Sequence, residues 1–227
     1  MKKVAIFDID GTIFRSSLLI EVTEGLLQAG IFPKKISKTY QASFTKWLSR
    51  QGSYEKYIMD VVYAFQKNIK GVSRKDFTAI SKQVVDFHKN RVYRYTRDLV
   101  KKLKKKGYYL LAISHSPKEL ADQFCKNLGF NKVYGRVYEV SAQGKFTGNT
   151  LYADLIDDKA KILKRAVEKE RLTLSHSVGV GDTESDIAFL SIVAHPICFN
   201  PNNKLYQHAK KSGWRVVVER KDVIYKL

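Results

Sequence analysis

Two kinds of hydrophobic spacing alternate along this chain. Val4-Ala5-Ile6-Phe7 is an unbroken apolar run that ends in Asp8-Ile9-Asp10-Gly11-Thr12. A short apolar run closed by turn residues predicts a strand buried on both faces. Residues 108–113, 177–180, 194–199 and 215–218 read the same way. Between these runs the spacing is helical. Leu19, Val22, Leu26 and Leu27 predict a helix over Leu18–Gln28, and Tyr57, Ile58, Val61 and Phe65 predict one over Tyr54–Ile69. Further helices are expected over 35–50, after Ser73, over 98–106, from Ser116 or Pro117 to 128, over 157–170, from Ile187 and over 204–211. Residues 137–140 and 145–147 flank Ser141-Ala142-Gln143-Gly144, a hairpin signal.

Strands that alternate with helices predict an α/β fold with a doubly wound parallel sheet. One interval breaks the alternation. Three or four helices without a strand lie between the first two strands, which predicts an inserted α-helical cap. The expected division is a core of residues 1–15 and 92–227 and a cap of residues 16–91. The aromatic stripes of the cap helices have core spacing rather than that of a base-stacking surface.

No apolar run approaches the ~20 residues of a membrane span. Met1-Lys2-Lys3 leads directly into the first strand, so no signal peptide is expected. Only two cysteines, Cys125 and Cys198, occur in 227 residues, which fits a reducing cytoplasm, with Cys125 in a helix core. The net charge of +19 changes the picture more, because it is uneven. Residues 31–110 carry +15 of it. A solvated helical surface accounts for such a balance. So does a field that draws anionic substrates, lipid headgroups or nucleic acid.

Candidate chemistry gathers at strand ends and helix starts. Asp8 and Asp10 close the first strand and Ser114 the second. Lys159 sits at a helix start, and Gly181-Asp182-Thr183-Glu184-Ser185-Asp186 follows a later strand. Residues two apart on a strand point the same way, so Asp8 and Asp10 repel unless a cation or a proton intervenes. Several carboxylates with one lysine and one hydroxyl suit Mg²⁺ and a phosphate. Phosphoryl transfer needs positioning, neutralisation and an in-line nucleophile, and a carboxylate can be that nucleophile.

These motifs, in this order, resemble the haloacid dehalogenase superfamily, and within it subfamily IB, the branch containing phosphoserine phosphatase. Asn200-Pro201-Asn202, Leu205, Ala209 and Gly213-Trp214 are similar to the end of bacterial members of that branch. The resemblance implies a Mg²⁺-dependent phosphatase acting on a small phosphate monoester through an aspartyl-phosphate. It makes Asp8 the nucleophile and Asp10 the acid and base. Ser114, Lys159, Gly11 and Thr12 meet the phosphate. Asp8, Asp182 and the main-chain carbonyl of Asp10 hold the metal, and Asp186 supports it from behind. His115 is open to either substrate contact or a surface role at the helix start.

In phosphoserine phosphatases a cap glutamate and a cap arginine hold the amino acid. The corresponding positions here are Ser17 and Val61. Phosphoserine is therefore not the first expectation, and Arg15 with the basic cap points to a more anionic small metabolite. The alternatives are a phosphatase or binder directed at nucleic acid or another polyanion, and a non-catalytic interaction protein of this fold. The sequence leaves the oligomeric state open.

Overall fold

A computed structural model describes residues 1–227. In chain order the strands are β1 (Lys2–Asp8), β2 (Tyr109–Pro117), β3 (Lys132–Val140), β4 (Phe146–Leu151), β5 (Leu172–Gly181), β6 (His195–Phe199), β7 (Arg215–Arg220) and β8 (Val223–Lys226). The helices are α1 (Leu18–Gln28), α2 (Lys38–Leu48), α3 (Tyr54–Ile69), α4 (Arg74–His88), α5 (Arg94–Lys105), α6 (Lys118–Lys126), α7 (Ala153–Ile156), α8 (Lys159–Lys169), α9 (Ile187–Leu190) and α10 (Asn203–Ser212). The chain forms two compact units. One comprises residues 1–17, 89–136 and 152–227, the other residues 18–88 and 137–151. No helix is long and apolar enough to cross a membrane.

The first unit is a parallel sheet in the order β3-β2-β1-β5-β6-β7, closed by antiparallel β8. Val4–Asp8 are buried without interruption, as a central strand with helices on both faces requires. Val4 and Ile6 join Ile162, Leu163 and Ala166 of α8 in one core cluster. Phe7 meets Phe130 edge-on at 5.9 Å. Burial of each such side chain contributes about 1.5–3 kcal/mol. From β1 the chain winds outward through β2 and β3, then resumes on the other side with β5, β6 and β7. The winding therefore reverses between β1 and β5. Ligand sites of such sheets lie outside the carboxyl ends at that reversal, and here those ends are Asp8 and Gly181.

The second unit contains α1 to α4 and a β-hairpin. Phe32, Phe65 and Phe77 are buried at its centre. Residues 137–151, expected with the sheet, belong to this unit instead. Their apolar side chains explain why. Phe146 meets Phe77 at 5.3 Å and Tyr138 meets Phe65 at 5.5 Å. The main chain follows, with Gly71 N–H donating to Phe146 O at 2.8 Å and Phe146 N–H to Val72 O at 2.9 Å. The stripe aromatics are largely core, with Tyr57, Phe65 and Phe77 buried, whereas Phe87 is 84% exposed.

Several boundaries differ from the sequence expectation. Residues 34–37 form a 3₁₀ turn after Pro33, so α2 begins only at Lys38. β2 runs on through Pro117, and α6 starts at Lys118 rather than Ser116. β3 begins five residues before the expected hairpin, because Lys132, Val133 and Tyr134 pair parallel with β2.

Candidate active site

β1 and β5 deliver two carboxylates to the reversal. Asp8 is the last residue of β1 and Asp182 the first after β5. Beyond Asp8 the chain folds back at once, with the amides of Thr12, Ile13 and Phe14 all donating to Ile9 O. Gly11 makes this turn with φ +81°, where a Cβ would stand 2.1 Å from Asp182 Oδ2. Only glycine allows both the backbone conformation and the approach of Asp182. Thr12 is buried, and its hydroxyl donates to Asp182 Oδ1 at 3.1 Å.

α8 supplies the cation. Asp158 caps the helix by accepting from Ala160 N–H and Lys161 N–H, so Lys159 is its first residue. The Lys159 ammonium is buried and donates to Asp8 Oδ1 at 2.6 Å and Asp186 Oδ1 at 2.5 Å. The remaining oxygen of Asp186 accepts from the amides of Asp182 and Thr183 at 2.9 and 3.1 Å. Asp186 thus ties the Lys159 head to the loop bearing Asp182. Gly181 permits this, since a Cβ there would stand 2.5 Å from an Asp186 oxygen.

β2 holds Asp10. Ser114 Oγ donates to Asp10 Oδ2 at 2.5 Å, and Ser116 Oγ reaches both Asp10 oxygens at 3.0 Å. The sequence reading gave Ser114 to the phosphate and Ser116 to a helix start. With its hydroxyl on Asp10, Ser116 does not cap α6, which is why the strand continues. The missed signal is a serine pair two residues apart at a strand end, the same periodicity that singled out Asp8 and Asp10.

Electrostatically the site is overloaded with negative charge. Oxygens of Asp8, Asp182 and Asp186 all lie within 4.8 Å of one another, with one ammonium among them. Burial pushes the Asp8 carboxyl up to about 8, Asp186 and Asp10 add to this, and Lys159 opposes it. Asp182 is also raised, by burial and then by Asp8 and Asp186. Lys159 is held charged above the ordinary lysine range, as the two carboxylates outweigh the cost of its burial. Asp8 Oδ2 is buried without a hydrogen-bond partner. An orphaned carboxylate oxygen among oxygen-only donors with excess negative charge fits a hard divalent cation, which would favour the ionised acids.

Three more residues stand near this machinery. His115 follows Ser114, and its Nε2 is buried without a partner. Burial, then Lys159 and Arg136, lower its imidazole to about 4, so it is neutral near pH 7. Arg15 lies over the Tyr93 ring at 5.4 Å, and Arg91 over Phe14 at 5.9 Å. Arg15 N–H donates to Arg91 O at 3.0 Å, so the two arginines flank the exit of the loop that follows β1. Ser17 and Val61, the positions compared with the amino-acid-binding pair, are both buried.

The chain is similar in sequence and in fold to known proteins. Residues 5–191 match the haloacid dehalogenase-like hydrolase family. The chain is 26% identical over 220 residues to phosphoserine phosphatase SerB1 of Mycobacterium tuberculosis, covering 93% of this chain and 69% of that protein. It is 23% identical over 230 residues to a histidinol-phosphatase of Neisseria meningitidis, covering 96% and 99%. Among solved structures, a phospho-aspartyl intermediate analogue of phosphoserine phosphatase superposes with a TM-score of 0.63 at 21% identity, covering 97% of this chain and 95% of that one.

Proposed function

The chain belongs to the haloacid dehalogenase-like hydrolase family and is a phosphatase, and from that we propose that it hydrolyses a small anionic phosphate monoester through an aspartyl-phosphate on Asp8. One observation carries the reading. Lys159 bridges Asp8 and Asp186 in a buried site and leaves Asp8 Oδ2 without a hydrogen-bond partner. A carboxylate held by an ammonium on one oxygen and unpartnered on the other keeps a lone pair available for nucleophilic attack.

In the first half-reaction an Asp8 oxygen forms a bond to phosphorus as the ester P–O bond breaks. Asp10 gives its proton to the departing oxygen. In the second, Asp10 takes a proton from water, whose oxygen attacks phosphorus and releases Asp8. The Ser116 hydroxyl, which reaches both Asp10 oxygens, keeps the carboxyl in place for both transfers. Lys159 neutralises Asp8 and the phosphoryl oxygens, and Ser114 can turn its hydroxyl from Asp10 to the bound phosphate. Mg²⁺ held by Asp8, Asp182 and the main-chain carbonyl of Asp10 would neutralise charge on the transferring group.

For the substrate, the curated relatives include both a phosphoserine phosphatase and a histidinol-phosphatase. Neither Ser17 nor Val61 offers a charge to an amino acid, whereas Arg15 and Arg91 stand at the loop exit. These two arginines support a second anionic group on the substrate. The test is Mg²⁺-dependent release of phosphate from a panel of phosphorylated metabolites, with Asp8→Asn as control. Turnover in Asp8→Asn equal to that of the native protein would overturn the nucleophile. Preference for uncharged or cationic esters would overturn the substrate class.

A further inference from the structure

The amino-terminal edge of the sheet is remote from this chemistry. Along β1 and β2 the register runs from Val4 opposite Tyr109 to Asp8 opposite Ile113, a rise of about 13 Å. At this edge, where α5 ends and β6 and β7 begin, the first unit has a cavity of about 670 Å³ that is broadly open to solvent. Small-molecule sites commonly occupy about 300–1,000 Å³.

Its wall is cationic and aromatic at once. Lys102, Lys106, Arg215 and His195 line it, and no carboxylate does. Lys102 lies in the last turn of α5 and Lys106 is the residue that ends it. Taken alone, they only complement the carboxyl end of their helix. Arg215 and His195 come from β7 and β6 and have no such reason to be there. Trp214 and Tyr108 supply the rings. Both are held before any ligand arrives. Trp214 packs edge-on against His208 at 4.7 Å, and Tyr108 Oη donates to His176 O at 3.0 Å. Beneath them Leu103, Val193 and Ile197 are buried.

We propose that this cavity binds a nucleoside polyphosphate, with its base against Trp214 and the apolar floor and its phosphates on Lys102, Lys106 and Arg215. Each simpler ligand leaves part of the wall unused. An inorganic anion satisfies the cations but not the rings and floor, and an apolar molecule does the reverse. A flat heterocycle joined to several phosphate charges uses both. The site is separate from the phosphatase centre and does not depend on its substrate.

Trp47 and Trp214 are the only tryptophans, so Trp47→Phe makes Trp214 the sole indole reporter. Adenosine 5′-(β,γ-imido)triphosphate is titrated into this variant in EDTA and Trp214 fluorescence is followed. The expected result is a saturable change that persists with Asp8→Asn added. Affinity falls about tenfold or more with Lys106→Glu or Arg215→Glu. These exposed residues lie outside the catalytic machinery, so unchanged phosphatase turnover verifies that each variant is folded. Inorganic tripolyphosphate binds more weakly and does not alter Trp214 emission. The proposal fails if no saturable change occurs at millimolar nucleotide, or if the charge-reversed variants bind as well as the parent. It fails equally if Asp8→Asn abolishes binding, or if tripolyphosphate matches the nucleotide.

Discussion

Asp186 accepts from Lys159 at 2.5 Å in a site where both side chains are buried. The other Asp186 oxygen receives two loop amides, so one carboxylate serves the lysine and the Asp182 loop together. An asparagine offers one acceptor and cannot serve both. Asp186→Asn is expected to lower turnover by about 10–100-fold, the usual effect of losing a supporting group behind a metal site. Steady-state kinetics and thermal melting check this, and native values in both would refute it. Lys159→Met leaves buried Asp186 and Asp8 without their shared cation and costs about 3–5 kcal/mol in urea unfolding.

Metal binding should release protons. The Asp8 carboxyl is raised to about 8 by burial, with Asp186 and Asp10 adding, so in metal-free protein it is largely protonated at pH 7. A folded value above the unfolded 3.8 stabilises the metal-free fold fully below pH 3.8, and that contribution is lost as pH rises toward 8. Mg²⁺ favours the ionised acid, so it raises the melting temperature more at pH 8 than at pH 5. Calorimetry in buffers of different ionisation enthalpy should detect the proton. A binding heat independent of the buffer would count against this account.

His115 produces the opposite slope. Its folded value of about 4 lies below the ordinary 6.5, through burial and then Lys159 and Arg136. The unfolded chain therefore binds the proton more readily between these values. The His115 contribution is present above pH 6.5 and lost as pH falls toward 4. Replacing His115 by Gln should flatten the acid side of a stability–pH curve in that window. A curve parallel to that of the native protein would exclude the effect.

Gly11→Ala is expected to damage the site more than the fold. The added methyl meets Asp182 Oδ2 at 2.1 Å in a backbone of φ +81°. Displacing Asp182 should cost on the order of 100-fold in turnover. The positive φ adds on the order of 1 kcal/mol of strain. Weaker Mg²⁺ affinity by titration distinguishes a moved Asp182 from general unfolding.

Ser114 and Ser116 share one acceptor, so their removal should not be additive. Each serine donates to Asp10. A hydrogen bond to a charged group contributes about 1.5–3 kcal/mol. Either alanine variant leaves Asp10 one hydroxyl, and the double variant leaves neither. A double-mutant cycle on turnover should show a coupling of at least about 0.5 kcal/mol. Strict additivity would mean that the two hydroxyls act independently.

Where one local cause decides, the sequence was a good guide. The bounds of α1 and α3 follow from apolar spacing, and in α3 from Ser53, which caps it by accepting from Lys56 N–H. Asp8, Asp10, Lys159, Asp182 and Asp186 stand out because acids following strand ends and a lysine at a helix start recur in one order along the chain. Long-range choices were not legible. Nothing in residues 137–151 announces Phe65 and Phe77 as packing partners. Ser116 beside Pro117 has the local signature of a helix start, and only the presence of Asp10, 106 residues away, makes its hydroxyl a brace. β8 was missed altogether, because its four residues hold their strand only by pairing with β7.

The place of β1 between β2 and β5 has a consequence for synthesis on the ribosome. Residues 2–8 are made before both of their partners, so one edge waits for Tyr109–Pro117 and the other for Leu172–Gly181. Until both are made, the apolar segment that carries Asp8 is a strand without its neighbours. Such segments invite pairing with other nascent chains. The strand that carries the proposed nucleophile therefore also needs protection during synthesis, and a translational pause before residue 181 would prolong that need.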